Sequence, residues 1–232
     1  MCLDCIDLNG LLSCCIKFTR SPDYLNSTGT QYSLCFRKKE DDFLDTVARM
    51  MLDSILYKLF RTLQPGKVLY LGSGMTSYKE NVPHTCFITA DIERGCHPDI
   101  CCDAHSIPCQ NESFDTVIAI ELLEHCHTPQ KVIDEIFRVL KREKGICILS
   151  TRFIYPIHGD PYDFYRFTKN SLSRLFYKFD EIKIYPHGDR LASVWDLVSL
   201  KLFPLKILNP FIKILSKDGG LCPCGYVVYA KK

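Results

Sequence analysis

The chain carries almost no net charge, because 29 basic residues face 27 acidic ones. Without a broad basic field, electrostatically driven binding of nucleic acid is not expected. The first residues carry Asp4 and Asp7 and lack the basic stretch of a secretory signal. The sequence also lacks internal repeats and low-complexity tracts. We therefore expect a globular, cytoplasmic protein.

A long uninterrupted apolar run is absent as well. Residues 191–215 are strongly apolar, but lysines and prolines divide them, which argues against a membrane-spanning helix. The segment predicts one or two helices that pack on the domain as an insertion before the last strand. Two alternatives are a substrate lid and a weak contact with a membrane surface.

Hydrophobic residues make up 47% of the 232 positions and charged residues 24%, which is typical of a globular protein. The length predicts one large domain or one domain with an appendage. We assign residues 1–40 to an irregular, cysteine-rich N-terminal extension and residues 41–232 to the main domain. The sequence does not indicate an oligomeric state.

Cysteine is unusually frequent, with 14 residues. Disulfide scaffolds are usually shorter and richer in cysteine, so we expect reduced thiols in a reducing cytosol. Cys2 and Cys5 form a C-x-x-C pair, but Cys14 and Cys15 are adjacent and close to that pair. This spacing does not fit a tetrahedral zinc site. We predict no metal site.

Hydrophobic periodicity predicts alternating strands and helices. A first helix starts near Asp41, repeats apolar residues every three or four positions to Leu63, and stops at Pro65. The other predicted helices are 129–140 and 172–179, and the predicted strands are 67–71, 86–90, 99–102, 114–120, 145–150, 181–185 and 226–230. This alternation predicts an α/β, Rossmann-like fold with a seven-stranded, mostly parallel sheet flanked by helices.

Four consecutive predicted strands end in glycine or an acid. The first runs into Gly72-Ser73-Gly74, and the next three end at Asp91, Asp103 and Glu121. Ligands of such sheets bind beyond the carboxyl ends of the strands. Glycines there let a ligand approach the backbone, and an acid after the second strand can accept hydrogen bonds from ribose hydroxyls. A nucleotide-containing cofactor is therefore expected at this edge.

Several runs of the sequence resemble the class I S-adenosylmethionine (SAM)-dependent methyltransferases, in particular the small-molecule, UbiE/menaquinone-methyltransferase-like type. The runs are VLYLGSG (68–74), TADI (89–92), CDAHSIPCQNESFDTVIAIELLEH (102–125), VIDEIFRVLKREKGICILSTRF (132–153), YPIHGDPYDFYRFTKNSL (155–172) and CPCGYVVYAKK (222–232). The resemblance implies SAM as cofactor and methyl transfer to a small molecule or a glycan precursor.

The same resemblance implies roles for individual residues. Asp91 would hold the ribose hydroxyls, with Ile92 packed on the adenine, and Asp103 would bind the adenine amine. The methionine and ribose portions would lie against the glycine corner and the end of the fourth strand. The complete implied cofactor set is Tyr70, Gly72, Ser73, Gly74, Asp91, Ile92, Cys102, Asp103, Ala104, Ile120 and Glu121.

Position 70 departs from the family pattern, which has an acid near the methionine ammonium. Here it is Tyr70, and Glu121 is the acid that could substitute for it. The missing carboxylate also leaves open a non-catalytic protein that has the fold but has lost the activity. A nucleotide-dependent oxidoreductase is a third class. The dinucleotide-binding fingerprint has glycine at position 77, and Ser77 in its place argues against this class.

Ionisable and aromatic residues crowd the segment after the fifth strand. An acceptor that must lose a proton needs a base, and the predicted catalytic residues are His125, His158, Asp163 and Tyr165, with Asp160 as a further candidate. The alternative is a hydrogen-bonded structural loop in which Arg166 pairs with Asp163 or Asp160. For His125, a structural role near the fourth strand is the alternative.

Overall fold

A computed structural model describes residues 45–158, 162–199 and 202–232. The N-terminal extension, the first cysteine pairs and Asp160 lie outside these residues. Seven strands form one sheet: β1 (Gly66–Leu71), β2 (His84–Asp91), β3 (Ile100–Cys101), β4 (Thr116–Ile120), β5 (Ile146–Arg152), β6 (Glu181–His187) and β7 (Gly225–Lys231). Their order is β3-β2-β1-β4-β5-β7-β6, and only β7 is antiparallel to its neighbours. The predicted fold class is confirmed.

Helices cover both faces of this sheet. On one face lies α1 (Val47–Phe60), and on the other lie α2 (Pro129–Val139) and α3 (Lys169–Leu175). The apolar positions of α1 include Leu52, Leu56 and Phe60, which are fully buried against residues of β1, β4 and β5. Burial of such side chains contributes about 1.5–3 kcal/mol each. The carboxyl ends of the strands thus lie between two layers of helices that pack on the sheet.

Two predicted helices have wrong boundaries. The first helix starts at Val47 rather than near Asp41, because Thr46 is extended and its hydroxyl accepts from the amide of Arg49 as an N-cap. It ends at Phe60, before the proline. The helix predicted at 172–179 spans Lys169–Leu175, because Thr168 and Ser171 form a capping box at its start. Capping chemistry, and not apolar spacing, sets both starts.

Residues 190–215 form α4 (Arg190–Ser199), a 3-10 turn (Phe203–Leu208) and α5 (Asn209–Leu215). Within the described part of the chain, every helix is too short or too polar to cross a membrane. The carboxylate of Asp196 in α4 accepts from the amides of Val47 and Ala48 at 2.9 and 2.8 Å. This pair of bonds fixes the start of α1 against the 190–215 helices.

Candidate cofactor and acceptor site

The carboxyl ends of β1 to β5 line one edge of the sheet. The order in which the chain adds strands reverses between the neighbouring strands β1 and β4. Such a switch point opens a crevice for a ligand. Gly72 and Gly74 both have positive φ, which favours glycine. A Cβ on Gly72 would lie 2.7 Å from Leu122, whereas nothing lies within 4 Å of a Cβ on Gly74. The missing side chain of Gly72 thus leaves room for Leu122 in the loop after β4. The crevice is open at Gly74.

Asp91 ends β2 beside this opening. Its carboxylate accepts from the amide of Gly74 at 2.7 Å and from the amide of Glu93 at 2.9 Å. Each carboxylate oxygen keeps a further lone pair for a ligand hydroxyl. The next residue, Ile92, is 53% exposed, which is unusual for an isoleucine and suits a flat apolar ligand surface.

Asp103 follows β3 with a carboxylate that is about half exposed. It accepts from the backbone amide of His105 and from the ring Nδ1 at 2.6 Å. Burial opposes ionisation, but these two bonds lower the pKa of Asp103 overall. The His105 ring stacks on His127 at 4.1 Å and is fixed by the amide of Thr128. Asp103 is therefore a positioned anion at physiological pH.

Four other predicted members of the cofactor set are buried: Ser73, Cys102, Ala104 and Ile120. Cys102 and Ala104 belong to the apolar core on the α2 face. The amide of Ser73 donates to the carbonyl of Ala90 at 3.2 Å, which ties the glycine corner to β2. Their structural contribution is the packed floor below the strand ends.

Glu121 lies at the end of β4 in a left-handed conformation, with φ of 54°. Its Oε2 accepts from Arg49 of α1 at 3.2 Å and from Arg152 of β5 at 2.9 Å. Burial alone would raise its pKa, but the two guanidinium groups lower it overall. A carboxylate already matched by two arginines is a poor substitute for the missing acid at position 70. Arg49 also pairs with Asp53 of α1 at 3.8 Å, so the two arginines of this cluster face two carboxylates.

Tyr70 is buried in an aromatic cluster below the crevice. Its ring packs edge-on against Tyr78 at 5.9 Å and Phe87 at 6.4 Å. Burial raises the pKa of its hydroxyl, so Tyr70 stays neutral. The Tyr78 hydroxyl donates to Asp53 of α1 at 2.8 Å. Aromatic packing thus occupies the place where the family pattern has a carboxylate.

The loop after β5 crosses the carboxyl end of β4. It docks there through the amide of Phe164, which donates to the carbonyl of Glu124 at 2.8 Å. Arg166 holds Asp163 in a two-bond ion pair, and this pairing lowers the pKa of Asp163 to about 2. The Tyr165 hydroxyl donates to the carbonyl of His127. Asp163 and Tyr165 therefore shape the loop, as the structural alternative for this segment requires.

His125 and His158 meet edge to face, with ring centroids 4.9 Å apart. His125 Nδ1 donates to the carbonyl of Tyr162, and His158 lies beside Asp163 and the carbonyl of Pro156. Burial lowers the pKa of His158, as does the neighbouring His125. A neutral imidazole is the form that can accept a proton. The structure brings together the two predicted histidines.

Three charged residues of the site are absent from the sequence-based set. Arg49 comes from α1, Arg152 from the end of β5, and Glu124 is fully buried beneath the 153–166 loop. The sequence around Arg49 predicts only an amphipathic helix and gives no reason to place Arg49 in a binding site. Glu124 was visible in the ELLEH run but had no partner to suggest a role. None has a local pattern that singles it out.

Residues 84–149 match a family model described as a methyltransferase domain. The matched segment runs from β2 into β5 and contains Asp91, Asp103 and Glu121. The glycine corner after β1 and the 153–166 loop lie outside it. No curated protein matches the chain.

Solved structures share the fold at low sequence identity. A SAM-dependent methyltransferase from Thermotoga maritima, described as a possible histamine N-methyltransferase, is 19% identical with a TM-score of 0.55, covering 80% of this chain and 91% of that one. A SAM-dependent methyltransferase from Archaeoglobus fulgidus is 16% identical, with a TM-score of 0.51 and coverages of 80% and 93%. The [4+2]-cyclase SpnF is 17% identical, with a TM-score of 0.50 and coverages of 80% and 80%. The chain thus has the fold of SAM-dependent methyltransferases, which is also found in a cyclase.

Proposed function

We propose that this chain, with a methyltransferase domain on a methyltransferase fold, transfers a methyl group from SAM to a small molecule or a glycan precursor. The observation that carries the proposal is Asp91, whose carboxylate lies at the end of β2 and is anchored on Gly74 at the open side of the crevice. The glycine corner and the exposed Ile92 fit a nucleoside beside that carboxylate.

Different residues of the crevice bind different parts of SAM. Asp91 accepts from the ribose hydroxyls, Ile92 covers one adenine face, and Asp103 accepts from the adenine amine. The guanidinium group of Arg152, at the end of β5, suits the carboxylate of the amino-acid end. Arg152 has a buried nitrogen with no hydrogen-bond partner among the described residues, which suits such a ligand.

SAM supplies a sulfonium methyl group that is already electrophilic. The protein's main contribution is then alignment of the acceptor, which can supply about 7–11 kcal/mol of the barrier. The 153–166 loop is the acceptor side, because it lies over the end of β4. For an acceptor that must lose a proton, His125 and His158 are the bases, and Asp163 and Tyr165 position the loop around them.

The finer family assignment rests on sequence motifs alone. The UbiE/menaquinone-methyltransferase-like type is supported by the runs at 102–125 and 155–172, and it favours a small acceptor. We also propose the division into a 1–40 extension and a 41–232 domain, with 191–215 as an insertion before β7.

We further propose that the 190–215 helices touch a membrane surface weakly. Ile207, Phe211 and Ile214 are 73%, 59% and 79% exposed, beside the basic Lys213. Isolated exposed apolar residues are ordinary, but a cluster marks an interaction surface. An apolar face with basic neighbours suits the headgroup region of a bilayer.

Calorimetric titration of the reduced protein with SAM, its demethylated product and NAD tests the enzymatic proposal. We expect micromolar binding of SAM or the product and none of NAD. Asp91→Ala removes charge-assisted bonds of about 1.5–3 kcal/mol each, so affinity should fall at least tenfold. Asp134→Ala, which removes a carboxylate on α2, should bind normally.

A circular dichroism spectrum confirms that each variant is folded. Folded wild-type protein that binds neither SAM nor the product would contradict the proposal. It would identify the chain as a non-catalytic protein whose cofactor site was lost with the acid at position 70. Binding of NAD instead would favour an oxidoreductase.

A further inference from the structure

Three metal-ligating side chains meet where the turn after β4 passes beneath the 153–166 loop. Glu124, His125 and His158 each offer one ligand atom, and these atoms lie within 4.8 Å of one another. A cation bound at about 2.1 Å needs ligand atoms roughly 3 to 3.5 Å apart. The ligand atoms would therefore have to come closer together when a cation binds.

Both histidines are oriented as metal ligands usually are. His125 Nδ1 donates to the carbonyl of Tyr162 at 2.5 Å, and His158 Nδ1 lies 3.3 Å from the carbonyl of Pro156 and 3.2 Å from Asp163. Since a carbonyl only accepts, the proton of each neutral ring is on Nδ1, and Nε2 keeps its lone pair. Metal-bound histidines typically donate their other nitrogen to a carbonyl or carboxylate in this way.

Glu124 supplies a carboxyl group that such a cation would bind in its ionised form. Its side chain is fully buried, and the donors to its carboxylate within the described residues are the Thr151 hydroxyl and the Arg152 backbone amide. The nearby carboxylates of Glu121 and Asp163 are already paired with arginines. Burial and the neighbouring Glu121 raise the pKa of Glu124, which favours its neutral form. A cation at this place would stabilise the ionised carboxylate, since buried charges are normally paired or bound to metal.

We propose that Glu124, His125 and His158 form a divalent-cation site on the acceptor side of the crevice. Two imidazoles and one carboxylate favour Zn²⁺ or a similar transition-metal ion over Mg²⁺ or Ca²⁺, which prefer oxygen ligands. Three protein ligands leave positions for oxygen atoms of an acceptor, so the site fits a hydroxyl- or carboxylate-bearing molecule.

Metal binding changes the role of the two histidines. As ligands they no longer act as bases, and the cation itself lowers the pKa of a bound hydroxyl. The cation site does not depend on methyl transfer and can be tested without it. Binding of SAM, measured on the same samples, reports the enzymatic proposal separately.

Titration of the full-length chain with Co²⁺, kept reduced by a phosphine, tests the site by calorimetry and by visible absorption. We expect one Co²⁺ per chain, displaced by Zn²⁺. His158→Ala and Glu124→Gln should each weaken binding at least tenfold and leave the SAM affinity unchanged. Asp163→Asn, which changes the partner of His158 and also removes the ion pair with Arg166, should weaken Co²⁺ binding about 10–100-fold. His97→Asn, on the loop after β2, is the matched control and should bind normally.

Two outcomes would overturn the site. One is the absence of Co²⁺ binding by folded wild-type protein. The other is binding that is unchanged in both His158→Ala and Glu124→Gln, with the intense sulfur charge-transfer absorption of a cysteine site. Glu124→Gln preserves the shape of a buried side chain and His158 is partly exposed, so at least one variant should fold.

Discussion

At the scale of single residues, Glu121 combines an unfavourable backbone conformation with a buried ion-pair cluster. A side chain at positive φ costs about 1–2 kcal/mol relative to glycine. Removing one partner of a buried ion pair costs about 3–5 kcal/mol, because the other charge stays buried. The two effects oppose each other at this position, where φ is 54° and two arginines surround the carboxylate.

Two substitutions separate these effects. Glu121→Ala should lower the free energy of unfolding by about 3 kcal/mol, because Arg152 loses its counter-charge. Glu121→Gly loses the same carboxylate but relieves the backbone, so it should be about 1 kcal/mol more stable than the alanine variant. Urea unfolding of the reduced protein measures both. Equal stabilities of the two variants would show that the backbone is not strained.

Asp163 provides a pH-dependent contribution to stability. Its pKa is about 2 in the folded protein, below its ordinary value of 3.8, chiefly because Arg166 bonds to it. The contribution is therefore complete above pH 4 and is lost as the pH falls from about 4 to about 2. The difference corresponds to about 2 kcal/mol. Asp163→Asn should flatten the stability curve in this window, and a curve with the wild-type slope would refute the assignment.

At the scale of elements, the start of α1 depends on a residue from a distant helix. Asp196 of α4 accepts from the first two amides of α1, and Thr46 caps a third. Helix starts leave such amides without partners, and a lost cap costs about 0.5–2 kcal/mol. The cap from α4 also couples the 190–215 helices to the sheet layer.

Hydrogen exchange separates the two caps. Asp196→Ala should raise the exchange rates of the Val47 and Ala48 amides and loosen α4, because both amides lose their acceptor. Thr46→Ala should affect mainly the Arg49 amide and leave α4 unchanged. Mass spectrometry or NMR of the exchanging protein gives the comparison. Identical protection of Val47 and Ala48 in wild type and Asp196→Ala would contradict the cap.

At the scale of the whole molecule, the exposed apolar surface is uneven. Exposed large residues concentrate on the helices before β7: Leu191, Val194, Leu197, Val198, Leu202, Ile207, Leu208, Phe211, Ile214 and Leu215. Trp195 is partly buried there, and its ring nitrogen donates to Asn209 at 2.7 Å. Trp195 therefore holds the helices together, and Phe211 and Ile214 are the residues that a membrane would meet.

Co-sedimentation with anionic phospholipid vesicles tests this surface. Wild-type protein should sediment with the vesicles, and the double variant Phe211→Ser with Ile214→Ser should lose most of that binding. Each exposed apolar side chain that a bilayer buries contributes about 1.5–3 kcal/mol. Tyr177→Ser, which changes a 61% exposed ring after α3, is the control and should sediment like wild type. Equal sedimentation of all three proteins would reject the contact.

The sheet could be predicted from the sequence, and so could the edge of the sheet at which the candidate site lies. Apolar strands between helices predict a parallel sheet, and parallel strands end at one edge, so Gly74, Asp91 and Asp103 could be placed together. These features are encoded locally, in the residues that build each strand and the corner after it. All seven predicted strands are present in the sheet.

Which side chains pair across that edge could be seen only in the folded structure. Glu121 could have replaced the acid missing at position 70, but Arg49 and Arg152 already occupy it. Glu124 meets His158 only because the 153–166 loop docks on the end of β4. Helix and strand periods describe one element at a time, whereas these contacts join residues from different elements. These contacts depend on how the helices and the loop pack on the sheet, and local sequence patterns do not predict that packing.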